Sequence, residues 1–148
     1  MTGYNPVLFD SNILVYAHNS ESPFYQQARQ LHEKVVSREL SAVLAPQNLL
    51  EFYSTVTNRT RVERALGQTK AIEEISKYLT YGFELITPKG IELQTALALT
   101  EGKRILDRMI FDAYLVATML SNGVTTIYTH NEKDFKIFDE IEVVNPFK

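Results

Sequence analysis

The chain of 148 residues contains no cysteine, which excludes disulfide bonds and metal sites built from thiolates. Its three histidines, His18, His32 and His130, form neither an H-E-x-x-H motif nor a close pair, so a zinc site is not expected. The six glycines are scattered and form no phosphate-binding loop, and no G-x-S-x-G sequence is present. These absences exclude the commonest zinc, nucleotide-binding and serine-hydrolase chemistries.

Long hydrophobic runs are also missing. No apolar run approaches the roughly 20 residues that a membrane-spanning helix needs. Met1 is not followed by the basic segment and apolar core of a signal peptide. We therefore expect a cytoplasmic protein.

An excess of positive charge is absent too, because the net charge is −3 and the isoelectric point is about 5.6. This excludes a protein that coats nucleic acid through its overall charge, but not an enzyme with a local basic patch. Basic residues gather in two places, which are either solvated helix ends or such a patch. The two groups are Arg59, Arg61 and Arg64, and Lys103, Arg104 and Arg108.

Short apolar segments alternate with amphipathic ones along the whole chain. The apolar segments predict strands at 7–9, 41–46, 83–87, 124–129 and 141–145. The amphipathic segments predict helices at 22–37, 46–56, 66–81, 91–100 and 107–122. This alternation is typical of an α/β fold with a mainly parallel sheet of four to five strands and helices on both faces. No linker is visible, so residues 1–148 are predicted to form a single domain.

Acidic and amide side chains occur where ligands bind in such folds, beyond the carboxyl ends of strands. Asp10 and Asn12 follow the first strand, and Glu51 lies one helical turn beyond the second. The segment 129–135, "THNEKDF", follows the fourth strand. Asp112 lies early in a helix that is apolar nearly all round, where an ionised carboxylate is costly unless it is paired or binds a metal.

Each of these residues also has an ordinary structural explanation. Asp10 could cap a helix, Glu51 could be a solvated surface residue, and Asp112 could interact with the dipole of its helix. Asn131 could cap a short helix, with Phe135 in the core. If the carboxylates do bind an ion, their oxygen ligands suit Mg²⁺ or Mn²⁺, and such clusters are typical of phosphodiester hydrolysis.

Four segments together resemble the motifs of PIN-domain nucleases. They are "VLFDSNILVYAHN" from residue 7, "APQNLLEFYSTVTN" from residue 45, "IFDAYLVATMLSNGVTTIYTHNEKDF" from residue 110, and the final strand "IEVVNPF" from residue 141. The match runs in order over most of the chain. Within the family, the single-domain form is similar to the VapC-type toxins of toxin–antitoxin pairs.

The resemblance implies a three-layer α/β/α fold and a Mg²⁺- or Mn²⁺-dependent endoribonuclease. Asp10 and Asp112 would be the main metal ligands, and Glu51 would complete the acidic cluster directly or through water. Asn12 would orient either Asp10 or a metal-bound water. The fourth motif, which begins at Thr129, departs from the family because its spacing is one residue longer. Asn131 or Glu132 falls at the usual aspartate position, and Asp134 matches a later aspartate that is either catalytic or structural.

Several further expectations follow from this interpretation. Asp107 is expected to cap the helix that carries Asp112. The candidates for RNA contact are Arg59, Arg61, Lys103 and Arg104. The resemblance also implies a possible antitoxin partner and, together with apolar residues on the middle helices, a homodimer. The main alternative is an inactive PIN-like module that binds RNA or protein, and a remoter one is a small phosphatase-like hydrolase.

Overall fold

The first strand, β1 (Val7–Phe9), is the centre of a parallel sheet in the computed structural model, which describes residues 5–148. Met1, on which the signal-peptide argument depends, lies outside the described residues. Five strands and seven helices are described. After β1 they are α1 (Ser11–Ala17), α2 (Tyr25–Val36), β2 (Ala42–Leu44), α3 (Pro46–Val56), α4 (Gln68–Thr80), β3 (Glu84–Leu85), α5 (Glu92–Leu99), α6 (Met109–Ser121), β4 (Thr126–Tyr128), α7 (Glu132–Phe135) and β5 (Glu142–Val144).

The sheet has the strand order β3-β2-β1-β4-β5, and all four pairings are parallel. Val7 pairs with Ala42 on one side and with Thr126 on the other, so β1 is covered along both edges. The predicted parallel α/β fold is confirmed. Since the carboxyl ends of all five strands meet at one edge, the residues that follow β1, β2 and β4 are brought together there.

Side chains alternate along each strand and build one core on each face of the sheet. Phe9 and Leu44 point into a core shared with α1, α2, α3 and α4. Leu8 and Val43 point into a second core shared with α5, α6 and α7. This sandwich of helices, sheet and helices is the predicted three-layer arrangement. None of the helices in the described part of the chain has the length and apolar character that crossing a bilayer requires.

Helix α3 is rotated relative to the face expected from its apolar spacing. In the sequence, Leu49, Leu50, Tyr53 and Val56 follow one another at helical spacing, which predicts one apolar face. Leu49 and Val56 are indeed buried, together with Phe52, whereas Leu50 is 69% exposed. Neighbouring positions on a helix are separated by about 100°, so Leu49 can face the core while Leu50 faces away from it. Leu50 therefore lies on the same exposed face as Glu51, and that face borders a cleft.

The expectation for Asp107 was wrong. Helix α6 is preceded by Arg108 at its N-cap position, and Asp107 one residue earlier has a positive φ of 54°. Its side chain therefore does not occupy the position from which it would cap α6. An aspartate tolerates this left-handed conformation better than most residues do, which explains its presence in the turn.

Candidate active site

Asp10 lies between β1 and α1, at the N-cap position of α1, and the residue is 7% exposed. Burial raises the pKa of Asp10, while hydrogen bonds to its carboxylate oppose the rise. The Thr129 hydroxyl donates to Oδ2 at 2.8 Å, and the backbone N–H of Ser11 donates to Oδ1 at 2.8 Å. Asn12 Nδ2 donates to Oδ2 at 3.2 Å. Asp10 thus occupies the capping position that its sequence context suggested, and it also faces the carboxyl edge of the sheet.

Thr129 connects the turn after β1 with the turn after β4. Its fully buried hydroxyl donates to Asp10 and accepts from the Asn131 backbone N–H at 3.0 Å and from Asn12 Nδ2 at 3.2 Å. The backbone N–H of His130 donates to Asn12 Oδ1 at 3.4 Å. Asn131 stands at the N-cap of α7, but its side chain makes no capping bond. Asn131 therefore contacts Thr129 through its backbone N–H.

A cleft of about 750 Å³ opens between α3 and the start of α6. The side-chain amide of Gln47 on α3 donates to the backbone oxygen of Phe111 on α6 at 3.2 Å, which joins the two walls. Glu51 contributes to one wall, Asp112 to the other, and Asp134 reaches the cleft from α7. The remaining lining residues are Ala45, Pro46, Leu50, Ser54, Pro88, Arg108, Met109, Tyr114 and Thr118.

The four carboxylates interact electrostatically. Burial raises the pKa of Asp112 to about 7, and the negative charges of Asp134, Asp10 and Glu51 add to the rise. The pKa of Glu51 is also raised, first by burial and then by Asp10, although Arg108 and Arg61 oppose the shift. These mutual effects require proximity, because the interaction between exposed charges is strongly screened beyond about 8–10 Å. Residues distant in the chain therefore form one acidic site.

The structure distinguishes the two acidic residues of the fourth motif. Glu132 accepts hydrogen bonds from Lys148, Asn145 and Lys136, which hold its pKa at about 2. Glu132 therefore links Asn145 and Lys148 to α7. Asp134, one helical position away from the core residue Phe135, is exposed and lines the cleft. Of these two residues, Asp134 is the one that faces the acidic site.

Arg108 lies near the acidic site, although it was not among the predicted RNA contacts. Arg108 lines the cleft, and its charge and that of Arg61 both act on Glu51. The signal for Arg108 was present in the sequence, because it stands four residues before Asp112 and positions four apart share one helix face. Lys103, by contrast, pairs with Glu140 at 4.0 Å. Arg59 and Arg104 are exposed and do not line the cleft.

The donors of this site suit a hard divalent cation, since they are oxygen atoms of carboxylates that repel one another in its absence. Within residues 5–148, no group of three or more His, Asp or Glu side chains is arranged to hold a metal ion by itself. An ion would therefore need waters or substrate oxygens to complete its coordination. Mg²⁺ commonly binds in this way, through one or two carboxylates with retained waters.

Comparison with known proteins agrees with this geometry. Ribonuclease VapC48 of Mycobacterium tuberculosis is 27% identical over 146 residues, which cover 94% of this chain and 96% of that protein. The crystal structure of M. tuberculosis VapC20, described as a toxin that cleaves the sarcin–ricin loop, superposes with a TM-score of 0.64 at 14% identity and covers 92% of this chain and 98% of that one.

A toxin–antitoxin complex from Klebsiella pneumoniae contains a chain that superposes with a TM-score of 0.62 at 20% identity, covering 96% of this chain and 98% of that one. These likenesses concern nearly the full length of each protein. The sequence model that describes the PIN domain matches residues 7–141, which include all four carboxylates of the acidic site. The resemblance noted in the four sequence motifs is thereby confirmed, and the chain belongs to the PIN-domain family.

Proposed function

We propose that this PIN domain is a Mg²⁺- or Mn²⁺-dependent endoribonuclease, the toxin of a VapC-type toxin–antitoxin pair. The observation that carries the proposal is an acidic cluster: Glu51, Asp112 and Asp134 line one cleft. The charges of Asp10, Arg61 and Arg108 all act on Glu51, so Asp10 and both arginines lie near that cleft. The relatives named as ribonucleases and toxins support the choice of substrate. No described contact favours the inactive binding module, because Asp134 lies in the cleft despite the altered spacing of its motif.

Each residue has a definite task in this proposal. Asp10 and Asp112 hold the cation, and Glu51 completes the acidic cluster or accepts a proton from the attacking water. The cation, when bound, supplies Lewis acidity and neutralises charge that develops on the phosphate. Thr129 and Asn12 fix the orientation of the Asp10 carboxylate through the hydrogen bonds described above.

The basic residues have a separate task. Arg61 and Arg108 lie close enough to act on Glu51, and they offset the repulsion between RNA phosphates and an acidic pocket. Arg59, Lys103 and Arg104 are more remote candidates for the path of the RNA. We also propose a cytoplasmic location, because an enzyme that cleaves cellular RNA meets its substrate there.

The test is cleavage of mixed RNA by the purified protein with EDTA, Mg²⁺ or Mn²⁺. Wild type should cleave only with a divalent ion, and Asp10→Asn and Asp112→Asn should each lose at least about a hundredfold in rate. Asp139→Asn is the matched control, since Asp139 is an exposed aspartate that does not line the cleft. Equal activity of all four proteins, or cleavage that persists in EDTA, would disprove the proposal.

The same proposal includes two protein partners. An antitoxin is suggested by the toxin–antitoxin complex among the structural relatives. A homodimer is suggested by large apolar side chains that the fold leaves half or more exposed on α4 and α5. They are Ile72 at 50% and Leu79 at 51%, and Leu93 at 64% and Leu97 at 54%. Exposed apolar groups at this density are typical of an interface.

A further inference from the structure

The cleft is acidic on only part of its surface. Leu50 and Phe111 are 69% and 61% exposed, and both line the cleft. Each stands directly beside a carboxylate in the sequence, Leu50 before Glu51 on α3 and Phe111 before Asp112 on α6. Every large apolar side chain in contact with water carries a cost of hydration. A pair of them facing one cavity beside a charged cluster therefore indicates a ligand with an apolar part and a charged part.

Two further residues that line the cleft have large, mainly apolar side chains. Met109 and Tyr114, both half-buried on α6, line the same cavity. We call Leu50, Met109, Phe111 and Tyr114 the apolar wall. The volume of the cavity, about 750 Å³, is within the range of small-ligand sites, so the cavity has room for a nucleotide. Arg108 at the start of α6 provides a positive charge near the junction of the wall with the carboxylates.

We propose that the apolar wall seats one unpaired nucleobase of the RNA, with its phosphate directed to the acidic site and Arg108. This inference depends on the proposed ribonuclease function and adds to it a binding site for one base of the substrate. A base has a flat apolar face that stacks on aromatic side chains, and the attached phosphate carries the charge that Arg108 attracts. A base inside a duplex cannot enter the cavity, so the base that the wall seats must be unpaired.

A flat protein partner fits these observations less well. Closing such a partner over the cleft would remove several carboxylates from water without supplying an opposite charge for each one, which is costly. The wall is also concave, and the exposed apolar residues of α4 and α5 offer a separate surface for subunit contact. The protein interface is therefore treated as an outcome of the test.

The test removes the base from the RNA and the Phe111 ring from the protein, each on its own and then together. An RNA oligonucleotide with one mapped cleavage position is compared with versions that carry an abasic nucleotide at each neighbouring position. For wild type, one abasic position should lower kcat/KM about tenfold, since stacking on a single exposed ring lies at the weak end of the usual range. Phe111→Ala should lower kcat/KM about tenfold with the intact RNA and show no further loss with that abasic RNA.

Tyr81→Ala is the matched control, because Tyr81 is 58% exposed, similar to Phe111, and lies at the end of α4 outside the cleft. It should behave as wild type with every RNA. The inference is overturned if no abasic position affects wild type, or if Phe111→Ala lowers activity equally with intact and abasic RNA. It is also overturned if Phe111→Ala changes the molecular mass by light scattering, because the wall would then be a subunit interface.

Binding distinguishes failure of this inference from failure of the ribonuclease function. The three proteins are titrated in EDTA with the fluorescein-labelled intact and abasic oligonucleotides. A base-dependent affinity that Phe111→Ala abolishes supports the wall even if wild type cleaves nothing with Mg²⁺ or Mn²⁺. Equal affinity of wild type for the intact and all abasic oligonucleotides overturns the wall even if cleavage is rapid.

Discussion

Replacing Asp112 by asparagine should stabilise the metal-free protein, and increasingly so as the pH rises. The Asp112 carboxyl has a pKa of about 7 in the folded protein, because burial and the charges of Asp134, Asp10 and Glu51 favour its protonated form. In the unfolded chain its pKa is 3.8. Between these values the folded state binds the proton and the unfolded state does not, so raising the pH from about 4 to 7 favours unfolding.

The size of the effect follows from the shift. A shift of about three pKa units corresponds to ~4 kcal/mol of lost stability above pH 7. Because Asp112 is partly exposed and screened by solvent, we expect about half of this, ~2 kcal/mol. Asp112→Asn removes the ionisation, so its advantage over wild type should grow from under about 1 kcal/mol at pH 5 to about 2 kcal/mol at pH 8.

Urea unfolding in EDTA at pH 5 and pH 8 measures this difference. Asp139→Asn is the control for loss of an aspartate outside the cleft, and it should stay within about 0.5 kcal/mol of wild type. Adding Mg²⁺ at pH 8 should stabilise wild type by ligand linkage but should have little effect on Asp112→Asn. An Asp112→Asn protein that is less stable than wild type at pH 8 would refute the reasoning and would favour a stabilising interaction of Asp112 with the dipole of α6.

Three further predictions concern other parts of the molecule. Thr129→Val should cost about 1–3 kcal/mol in urea unfolding because it leaves the Asn131 backbone N–H without its acceptor and removes one of the three hydrogen bonds to the Asp10 carboxylate, whereas Thr129→Ser should cost less than about 1; equal costs would contradict this. Burial would raise the pKa of Glu74, but ionic hydrogen bonds outweigh this effect and lower the pKa to about 2. The stability that Glu74 contributes is therefore present above about pH 4.5 and is lost as the pH falls toward 2. Glu74→Gln should therefore be destabilised by about 1–2 kcal/mol at pH 6 and by less at pH 3, and an equal loss at both pH values would be inconsistent with this. Light scattering at micromolar concentration should give a dimer for wild type and a monomer for the double variant Leu93→Asp, Leu97→Asp, and a monomeric wild type at every concentration would exclude the dimer.

The fold was readable from the sequence because the central strands β1 and β2 are short and buried on both faces. Parallel strands with this burial appear as unbroken apolar runs, and here Asp10, Pro46 and Pro88 mark where the runs end. The candidate site was readable for the related reason that residues after parallel strands meet at one edge. The positions of Asp10 and Glu51 follow from that rule, while their roles stay predictions.

Features that depend on tertiary contacts were not readable in the same way. Apolar spacing on α3 could not decide which of Leu49 and Leu50 faces the core, since that depends on how the helix rests on the sheet. The choice between Glu132 and Asp134 depends on Lys148, which holds Glu132 at 2.8 Å from the far end of the chain. Local spacing contains no information about such a partner.

The position of β1 at the centre of the sheet has a consequence for biosynthesis. Of the described strands, β1 is made first; its neighbour β2 follows soon, and its other neighbour β4 is made only after residue 125. Asp10 receives its Thr129 hydrogen bond, and Asp134 enters the cleft, only when residues 129–134 are available. A chain that stops before α6 contains Asp10 and Glu51 but neither Asp112 nor Asp134. A chain that stops directly after α6 also contains Asp112, but it still lacks Thr129, which holds Asp10. A fragment that stops before residue 129 therefore lacks both the hydrogen bond that orients Asp10 and the Asp134 carboxylate.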